Sequence, residues 1–591
     1  MPKKWNILPL PPLEFTDSHP ELPVAVAQLL WNRNLRDQAQ IDEFLNPDYS
    51  QDIHDPFLFR DMEKATDIIF KAIDKQENIV VHGDYDADGV SAAAIIITGL
   101  RKLGAKNVNV FIPHREIDGY GLNFNTIELL RSQKTNLIIT CDCGVSNTPE
   151  IALARKYKIK VIVTDHHTVP AKLPKANAII HPLVKGEPYP DKGLCGGGVA
   201  FKLVQGLLKK YAFTHSALPD GQTFEGFEKW LLDLVAIASI GDMVPLLGES
   251  RTLTRYGLTV INKTRNLGLK KLLIVAGLAD ESGQPKRGAY DSYAMSFQIV
   301  PRLNAAGRMD HANTAFALLM ATDEKEAESL AAQLDKNNVD RRKLTEQYVN
   351  EARKQIKETN QENNPVLFVL GKDWPTGILG LISGRIKDDY YKPAIVMGET
   401  KDAINGSGRS IKEFSLIAAM QSMPEVFLKF GGHPQACGFT LKTKEHLEEF
   451  KTKLIAKAAT QTANVDLTPQ IAVDAEVDLD EVNWKLYDLL QKFEPFGQAN
   501  EEPKYVSRAL TVTAIEPVGQ DGKHLRLMVK HNSHLIKKTI GFGLGDINRC
   551  SENWKQCLKP GDKIDMVFSI GVNEWNGNRE LQLTIEDVKK I

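Results

Sequence analysis

The sequence has few cysteines, no long apolar run and no excess of charge of one sign. Six cysteines are spread over 591 residues and no two of them form a CxxC pair, which argues against a disulfide scaffold and against a structural zinc site. The longest apolar stretch, 90–100, is interrupted by Ser91, Thr98 and Gly99 and is far shorter than the ~20 residues of a membrane-spanning helix. No secretory signal pattern is present near the first residue. We therefore expect a protein of a reducing, cytoplasmic compartment with no membrane partner.

The balance of charges excludes one class of nucleic-acid-binding protein. Lysine and arginine number 73 and aspartate and glutamate 75, which gives a net charge of −2. A uniformly basic, histone-like protein is thereby excluded, whereas a local basic groove on a neutral protein is not. With 42% hydrophobic and 25% charged residues, the composition is typical of a folded chain of about four domains.

From about residue 60 the pattern alternates between helices and short apolar strands, which predicts an α/β fold with a parallel sheet. We place five strands at 78–81, 107–112, 136–140, 160–163 and 178–180. Three of them lead directly into charged loops, HGDYDADG, CDCG and TDHH. Because ligands bind beyond the carboxyl ends of the strands in such sheets, we expect these loops to meet at one edge.

The rest of the chain indicates further domains. We predict an N-terminal helical region at 1–59, the parallel-sheet domain at 60–321, a long helical linker at 322–364, a smaller α/β domain at 365–460 and a β-barrel at 465–591. Periodicity alone leaves open whether 322–360 links two halves or belongs to a helix bundle of the first domain. Five alternating segments in 505–590, with turn signals at Asp521-Gly522 and Asn576-Gly577-Asn578, favour a small barrel of the oligonucleotide-binding (OB) type.

The strongest chemical signal is the acidic segment HGDYDADG, which places His82, Asp84, Asp86 and Asp88 directly after a predicted strand. So many like charges are costly unless a cation neutralises them. A solvated acidic turn and a calcium loop are the alternatives, but the calcium loop lacks its glutamate, since that position is Ile95. An imidazole beside carboxylates favours a transition metal such as manganese.

Three further clusters of acids and imidazoles follow. Asp142 ends one strand, Asp165-His166-His167 ends another, and Asp242 follows a helix in ASIGDM. Each signal alone is weak, because a lone aspartate after a strand is usually a helix cap. Together they supply enough oxygen and nitrogen ligands for two metal ions. No GxxxxGK[ST] or GxSxG pattern offers a competing chemistry.

These motifs, in this order, resemble those of a known superfamily. HGDYDADG, TCDCG, TDHH and ASIGDM look like the four motifs of the DHH phosphoesterases, and FGGHPQACGF (430–439) resembles the GGH signature of the accompanying DHHA1 domain. The segment PRLNAAGRM (301–309), the barrel and the chain length are similar to one group within it, the bacterial 5′→3′ exonucleases specific for single-stranded DNA. The resemblance implies a DHH domain at 60–321, a DHHA1 domain at 365–460 and an OB-type nucleic-acid-binding domain at 465–591.

The resemblance also implies the metal ligands. One ion would be held by His82, Asp86 and Asp142, and a second by Asp88, Asp142, His166 and Asp242. Two divalent cations, Mn²⁺ or alternatively Mg²⁺, about 3.5–4 Å apart would generate hydroxide and neutralise the transition state of phosphodiester hydrolysis.

Three neighbours of these ligands have implied supporting roles. Asp84 and Asp165 are expected beside the ligands, where carboxylates orient imidazoles. His167 is expected to touch a phosphate oxygen or to help with proton transfer.

Candidate substrate contacts come from the same resemblance. They are Arg115, Arg302, Asn304, Arg308, Ser407, Arg409, Gly432 and His433, and some of them would bind the 5′-terminal phosphate. Each arginine could equally form a surface salt bridge, and Arg302 and Arg308 are not ranked against each other. On the barrel the candidates are Lys523, Arg526, Lys537, Lys538, Trp575 and Arg579, with ordinary solvated surface as an equal alternative.

The predicted function is therefore two-metal-dependent 5′→3′ hydrolysis of single-stranded DNA to 5′-mononucleotides, in recombination and in mismatch and excision repair. The resemblance adds single-strand-binding protein and a helicase as partners, and we expect a monomer. One alternative is a related hydrolase of very short oligonucleotides, cyclic dinucleotides or pyrophosphate, against which the barrel argues. The other is a non-catalytic DNA scaffold, against which the complete set of motif acids and imidazoles argues.

Overall fold

The architecture is taken from a computed structural model that describes residues 3–286, 288–531, 533, 535–546, 552–575 and 578–591. Cys550, the turn residues Asn576 and Gly577, and the side chain of Trp575 lie outside what is described. The strands are β1 Lys4–Ile7, β2 Ile79–His82, β3 Val108–Phe111, β4 Leu137–Cys141, β5 Lys160–Thr164, β6 Ala178–Ile180, β7 Leu367–Lys372, β8 Ala394–Glu399, β9 Ile404–Arg409, β10 Phe427–His433, β11 Ala436–Leu441, β12 Gln470–Val473, β13 Ala475–Glu476, β14 Tyr505–Val518, β15 His524–Lys530, β16 Ile536–Gly541, β17 Lys563–Trp575 and β18 Asn578–Lys590.

The α-helices follow the same chain order. They are α1 Leu13–Ser18, α2 Val24–Asn32, α3 Gln38–Leu45, α4 Met62–Asp74, α5 Ala87–Lys102, α6 Phe124–Ser132, α7 Thr148–Lys156, α8 Gly196–Ala212, α9 Phe224–Trp230, α10 Leu232–Gly241, α11 Gly248–Ile261, α12 Leu267–Val275, α13 Ser292–Ala294, α14 Val300–Met309, α15 Asn313–Met320, α16 Glu324–Glu358, α17 Thr376–Tyr390, α18 Leu416–Gln421, α19 His446–Thr462, α20 Trp484–Gln491 and α21 Trp554–Cys557. A π-helical turn, Met295–Ile299, leads into α14.

The chain forms two compact units. One comprises 55–242 and 257–467, and the other comprises 1–54, 243–256 and 468–591.

The first unit contains the predicted parallel sheet. Five strands lie in the order β3-β2-β4-β5-β6, and every neighbouring pair is parallel. The central strands β2 and β4 are buried along their whole length, which suits their continuous Val and Ile content. Their carboxyl ends lead to the acidic loops at one edge, so the prediction of an α/β fold with a parallel sheet is confirmed.

Helix α16 is a single helix of 35 residues. It lies against α12, α14 and α15, and its second half, with Val349, Ala352 and Ile356, enters a core shared with α17 and β7. The same helix therefore packs on both α/β portions of this unit.

The smaller α/β portion is built on a mixed sheet. Its strand order is β10-β11-β9-β8-β7, in which β7 and β8 are parallel and the other neighbours antiparallel. The hairpin β10–β11 carries the FGGH segment.

The second unit contains the predicted barrel. Strands β14-β15-β16-β18-β17 form a sheet that is closed by pairing of β14 with β17, which confirms the OB-type barrel. Its interior is filled by Tyr505, Leu527, Ile564 and Phe568. The N-terminal helices α2 and α3 bury side chains in the same core, and β1 pairs in parallel with β12.

Across the described residues, none of the helices combines the length and the apolar character needed to cross a membrane.

Candidate metal centre

The acids and imidazoles of the motifs converge at the carboxyl edge of the parallel sheet. His82 ends β2, Asp142 follows β4, and Asp165 follows β5. Asp86 caps helix α5, since its Oδ1 accepts hydrogen bonds from the backbone N–H groups of Asp88 and Gly89 at 3.0 and 3.1 Å. The turn from strand to helix therefore presents several carboxylates to one small volume.

The imidazole of His166 lies among three carboxylates from three different elements. Its Nε2 is 3.1 Å from Asp142 Oδ1, 3.5 Å from Asp242 Oδ2 and 3.7 Å from Asp88 Oδ2. These four residues are the set that the motif resemblance implies for one metal ion. Carboxylate oxygens around an imidazole nitrogen make a donor set that suits Mn²⁺ and related divalent ions.

A second group of ligand atoms lies beside the first. One carboxylate oxygen each from Asp84, Asp86 and Asp142 lies within 4.8 Å of the others. His82 is not among the residues whose ligand atoms lie within 4.8 Å of one another. Its Nε2 is nevertheless buried and has no hydrogen-bond partner among the described residues. Asp84 Oδ1 is likewise buried and unpartnered. Such unsatisfied buried acceptors are costly, and a bound cation would satisfy both.

The electrostatics of the cluster fit a cation. Burial, and then the negative charge of Asp86, raise the pKa of Asp88 to about 7. Burial, and then the charge of Asp88, raise the pKa of Asp242 to about 8 and that of Asp142 well above its usual range. These carboxylates therefore resist ionisation side by side, and divalent charge is what would stabilise them as anions.

Two glycines that the motif analysis missed shape the site. The backbone N–H groups of Gly196 and Gly197 donate to the two oxygens of Asp88 at 2.7 and 2.6 Å. A Cβ on Gly196 would lie 2.5 Å from Cβ of Asp142, so only glycine allows α8 to approach this closely. The signal in the sequence was the run Gly196-Gly197-Gly198 at the start of a helix.

A fixed network orients His167. Oδ1 of Asp165 accepts from the backbone N–H groups of His166 and His167 and lies 2.8 Å from His167 Nδ1. The hydroxyl of Tyr120, which the sequence did not single out, donates to the backbone carbonyl of Asp142 and lies 3.0 Å from the same Nδ1. Burial opposes the charge of His167, but the bond to Asp165 prevails and raises the pKa of the imidazole to about 9.

Several predicted substrate contacts form a cationic group near the carboxylates. Arg115 stacks over the ring of Tyr85 and donates to the carbonyl of Gly307. Arg308 donates to the carbonyl of Gly377, and burial followed by the charges of Arg115 and other arginines lowers its pKa to about 9. Arg409 lies on β9 and donates to Ser407 Oγ at 3.1 Å.

Two other candidates already have protein partners. Arg302 is 8% exposed, and its guanidinium donates to Asp335 at 2.9 Å and to the carbonyl of Gln298 at 2.6 Å. Asn304 Oδ1 accepts from the backbone N–H of Ala87 at 2.7 Å and so holds the start of α5. Gly432 and His433 lie on the exposed hairpin β10–β11, where Gly432 has a φ of 141°.

The barrel candidates mostly contact groups on their own surface. The ion pairs are Arg526–Glu516, Lys538–Glu580 and Arg579–Glu574. Lys537 donates to the carbonyl of Val482, and Lys523 is exposed.

Comparison with known families matches three segments of the chain. They correspond to the DHH family, N-terminal domain, at 78–239, the DHHA1 domain at 363–460 and the RecJ OB domain at 473–587. Single-stranded-DNA-specific exonuclease RecJ from Bacillus subtilis is 33% identical over 564 residues, which cover 95% of this chain and 67% of that protein. RecJ from Haemophilus influenzae is 30% identical and is covered over 95% of both chains.

Solved structures show the same likeness. The crystal structure of RecJ from Thermus thermophilus in complex with Mn²⁺ matches with a TM-score of 0.81 and 26% identity, over 100% of this chain and 80% of that one. The structure of the same protein in complex with Mg²⁺ matches with a TM-score of 0.76 and 25% identity, over 100% and 78%.

Proposed function

The chain belongs to the RecJ family of single-stranded-DNA-specific exonucleases, and from this premise we propose that its sheet-edge carboxylates and imidazoles carry out that hydrolysis. The enzyme removes 5′-mononucleotides from single-stranded DNA in the 5′→3′ direction, using divalent Mn²⁺ or Mg²⁺, and serves DNA recombination and repair. The observation that carries the assignment is His166 Nε2 between Asp88, Asp142 and Asp242.

The ligands are assigned by the donor atoms that face one another. Asp88, Asp142, His166 and Asp242 would hold one ion, and Asp142 would be shared with a second site that includes Asp86, Asp84 and the unpartnered Nε2 of His82. When bound, the two ions supply a hydroxide at neutral pH and neutralise charge on the phosphate. Asp84 thus becomes a candidate ligand, in addition to the supporting role that the sequence predicted for it.

His167 would act on the phosphate beside these ligands. Asp165 accepts from Nδ1–H and fixes the ring, which leaves Nε2 free to face a non-bridging oxygen or to hold a proton during the reaction. The side chain of His167 is 34% exposed, so a bound strand can reach it.

The 5′ end would be held by Arg115, Arg308, Ser407 and Arg409. The three guanidinium groups donate to neutral protein groups, so their positive charges remain available to bind a phosphate. Capture of the terminal phosphate beside the metal centre would present the first phosphodiester bond for hydrolysis and so set the polarity. Arg302 and Asn304, by their contacts, would position α14 and α5 instead of touching DNA.

The remaining assignments extend this proposal. The OB barrel at 465–591 would bind the strand by charge and stacking, and Gly432 and His433 on their exposed hairpin would contact it too. We propose domains at 1–59, 60–321, 322–364 and 365–460. We also propose that the protein is a cytoplasmic monomer. Its proposed protein partners are single-strand-binding protein and a helicase. Co-purification of the tagged full chain with those two proteins would test the partners.

The activity is tested by a gel time course with Mn²⁺ on single strands labelled at either end, beside a blunt duplex and a dinucleotide. We expect mononucleotides from the 5′ end of the long single strand and a spared duplex. Rapid turnover of the dinucleotide with the long strand untouched would overturn the assignment in favour of a short-substrate hydrolase.

A further inference from the structure

A fully buried histidine, His181, lies at the edge of the metal centre and is neither a proposed ligand nor a proposed substrate contact. It directly follows β6. Strands β5 and β6 are parallel neighbours with Thr164 opposite Ile180, and the backbone N–H of Asp165 donates to the carbonyl of Ile180 at 3.2 Å. His181 therefore emerges at the same edge of the sheet as the segment 165–167, one strand further along.

The hydrogen bonds of His181 determine which of its ring nitrogens carries the proton. Its Nδ1 accepts from the backbone N–H of Leu183 at 3.1 Å, so Nδ1 is unprotonated and Nε2 carries the hydrogen. Burial lowers the pKa of the ring, which agrees with a neutral imidazole. Nε2 lies 2.9 Å from the backbone carbonyl oxygen of His167 and donates to it. Both nitrogens are thus engaged, and the ring is held in one orientation.

The bond from His181 fixes the backbone of His167 on its second side. The N–H of His167 donates to Oδ1 of Asp165 at 3.1 Å, and its carbonyl accepts from His181. Because the peptide groups before and after His167 are both held, its two backbone torsions are restricted. The contacts of the ring with Asp165 and Tyr120 then set the side-chain torsions. The position of His167 Nε2 therefore depends on His181.

We propose that His181 is a positioning residue that acts through His167. It holds the backbone of His167 so that Nε2 of that ring meets the phosphate in the transition state. A displacement of about 1 Å in a reacting group can lower a rate by about a hundredfold, so one hydrogen bond to the backbone is enough to matter. The inference rests on the proposed function, in which His167 acts on the phosphate beside the metal ions.

Two variants separate the hydrogen bond from the filling of space. In H181Q the amide nitrogen can take the place of Nε2 and still donate to the carbonyl of His167. In H181L that donor is lost while the side chain keeps about the same volume. The experiment measures kcat and KM on single-stranded DNA, the Mn²⁺ concentration for half-maximal activity, and unfolding in urea.

His19 provides a matched control. It is also a buried histidine, and its Nδ1 lies 2.9 Å from a backbone carbonyl, that of Phe15. It belongs to the other compact unit, in the segment 1–54. The H19L variant therefore loses the same kind of hydrogen bond without touching the segment that carries His167.

We expect H181L to lower kcat about tenfold to a hundredfold, with little change in KM or in the Mn²⁺ requirement. Such a pattern is expected when an interaction is lost in the transition state and not in the bound substrate. H181Q should recover most of the parental kcat. H19L should unfold at a lower urea concentration than the parent, as H181L does, but should keep the parental kcat.

A double-mutant cycle tests whether His181 acts through His167. In the H167A background, H181L should cause no further loss of the hydrolysis rate, because the ring that it positions is absent. Single-turnover measurements with excess enzyme make the low rates of these variants accessible. A further loss as large as that in the parental background would overturn the proposal.

The other outcomes are also distinguishable. A parent that does not degrade single strands would show that the proposed function is wrong. If the parent is active, a parental kcat in H181L, or an effect mainly on the Mn²⁺ requirement, would show that His181 does not position His167. The tautomer can be checked in the parent even if H181L does not fold. NMR of ¹⁵N-histidine-labelled protein should show Nε2–H for the ring whose signal is missing in H181Q, and Nδ1–H would contradict the proposal.

Discussion

His166 Nε2 lies 3.1 Å from Asp142 Oδ1, although the two residues are 24 positions apart and follow different strands. The pairing arises because β4 and β5 are parallel neighbours, with Cys141 opposite Thr164. The residues that follow two such strands emerge side by side at the same edge. Asp142 also has a positive φ of 61°, a backbone conformation that aspartate adopts more readily than most residues.

Substitution of Asp142 by alanine should abolish hydrolysis. Asp142 belongs to both groups of ligand atoms, so its loss would weaken both metal sites and lower kcat by roughly a thousandfold or more. Binding of single strands, measured by anisotropy, should change by only a few-fold because the arginines remain. Hydrolysis at the parental rate would refute the shared-ligand assignment.

The control for Asp142→Ala is Asp74→Ala, an exposed acid at the end of α4, which should leave hydrolysis unchanged. In EDTA a D142N protein should melt at a higher temperature than the parent, because asparagine tolerates the positive φ at this position while it removes a buried carboxyl and its repulsion with Asp88, Asp86 and Asp84. An equal or lower melting temperature would argue against that repulsion.

A methyl group on Gly196 should damage the metal centre. Its Cβ would lie 2.5 Å from Cβ of Asp142, so the start of α8 or Asp142 has to move, at a cost of about 1–3 kcal/mol. We expect Gly196→Ala to raise the Mn²⁺ concentration needed for half-maximal activity. Gly384→Ala, in α17 with no atom near its added Cβ, should raise stability slightly and leave the Mn²⁺ requirement as it is. An unchanged Mn²⁺ requirement in G196A would show that this approach is not needed.

Sequence reasoning captured the features that depend on strand order. The five parallel strands, the sheet edge and the meeting of Asp88, Asp142, His166 and Asp242 arise from periodicity and from short motifs that end strands. Contacts between side chains of distant elements carry no such periodic signal.

The features missed by sequence reasoning depend on those distant contacts. Nothing in the local sequence shows that Tyr120 contacts His167 or that Arg302 forms an ion pair with Asp335. Strand β1 was also not predicted, because its partner strand β12 lies more than 400 residues later in the chain. Such residues are far apart in the sequence and come together only in the folded structure, so sequence patterns do not reveal their contacts.

The two arginines left unranked by sequence should separate in experiment. Arg302→Gln breaks a largely buried ion pair and should lower the free energy of unfolding by about 1–3 kcal/mol, as measured by urea denaturation. Arg308→Gln should leave the free energy of unfolding nearly unchanged, because it removes a buried charge that lies among like charges. It should raise the KM for 5′-phosphorylated strands about tenfold. The reverse pattern would exchange their roles.

Asp233 should make the folded protein less stable above pH 6. This fully buried carboxyl accepts from Thr264 Oγ1 at 2.6 Å and from the N–H of Leu234 at 2.8 Å, but burial prevails and raises its pKa to about 6 from 3.8. The folded state therefore binds this proton more tightly than the unfolded state does. The contribution of Asp233 to stability falls as the pH rises from about 4 to 6, by roughly 3 kcal/mol for a shift of about two pH units.

Asp233→Asn removes that titration while its amide can still serve Thr264 and Leu234. Relative to the parent, D233N should be the more stable protein at pH 7.5, and its advantage should shrink toward pH 4.5. Urea denaturation in EDTA at both pH values measures this without a contribution from metal binding, and Asp74→Asn is the exposed control. A stability difference in favour of D233N that shrinks toward pH 4.5 requires a carboxyl whose pKa is raised in the folded state. If the difference instead grows toward pH 4.5, the folded protein stabilises the carboxyl as an anion.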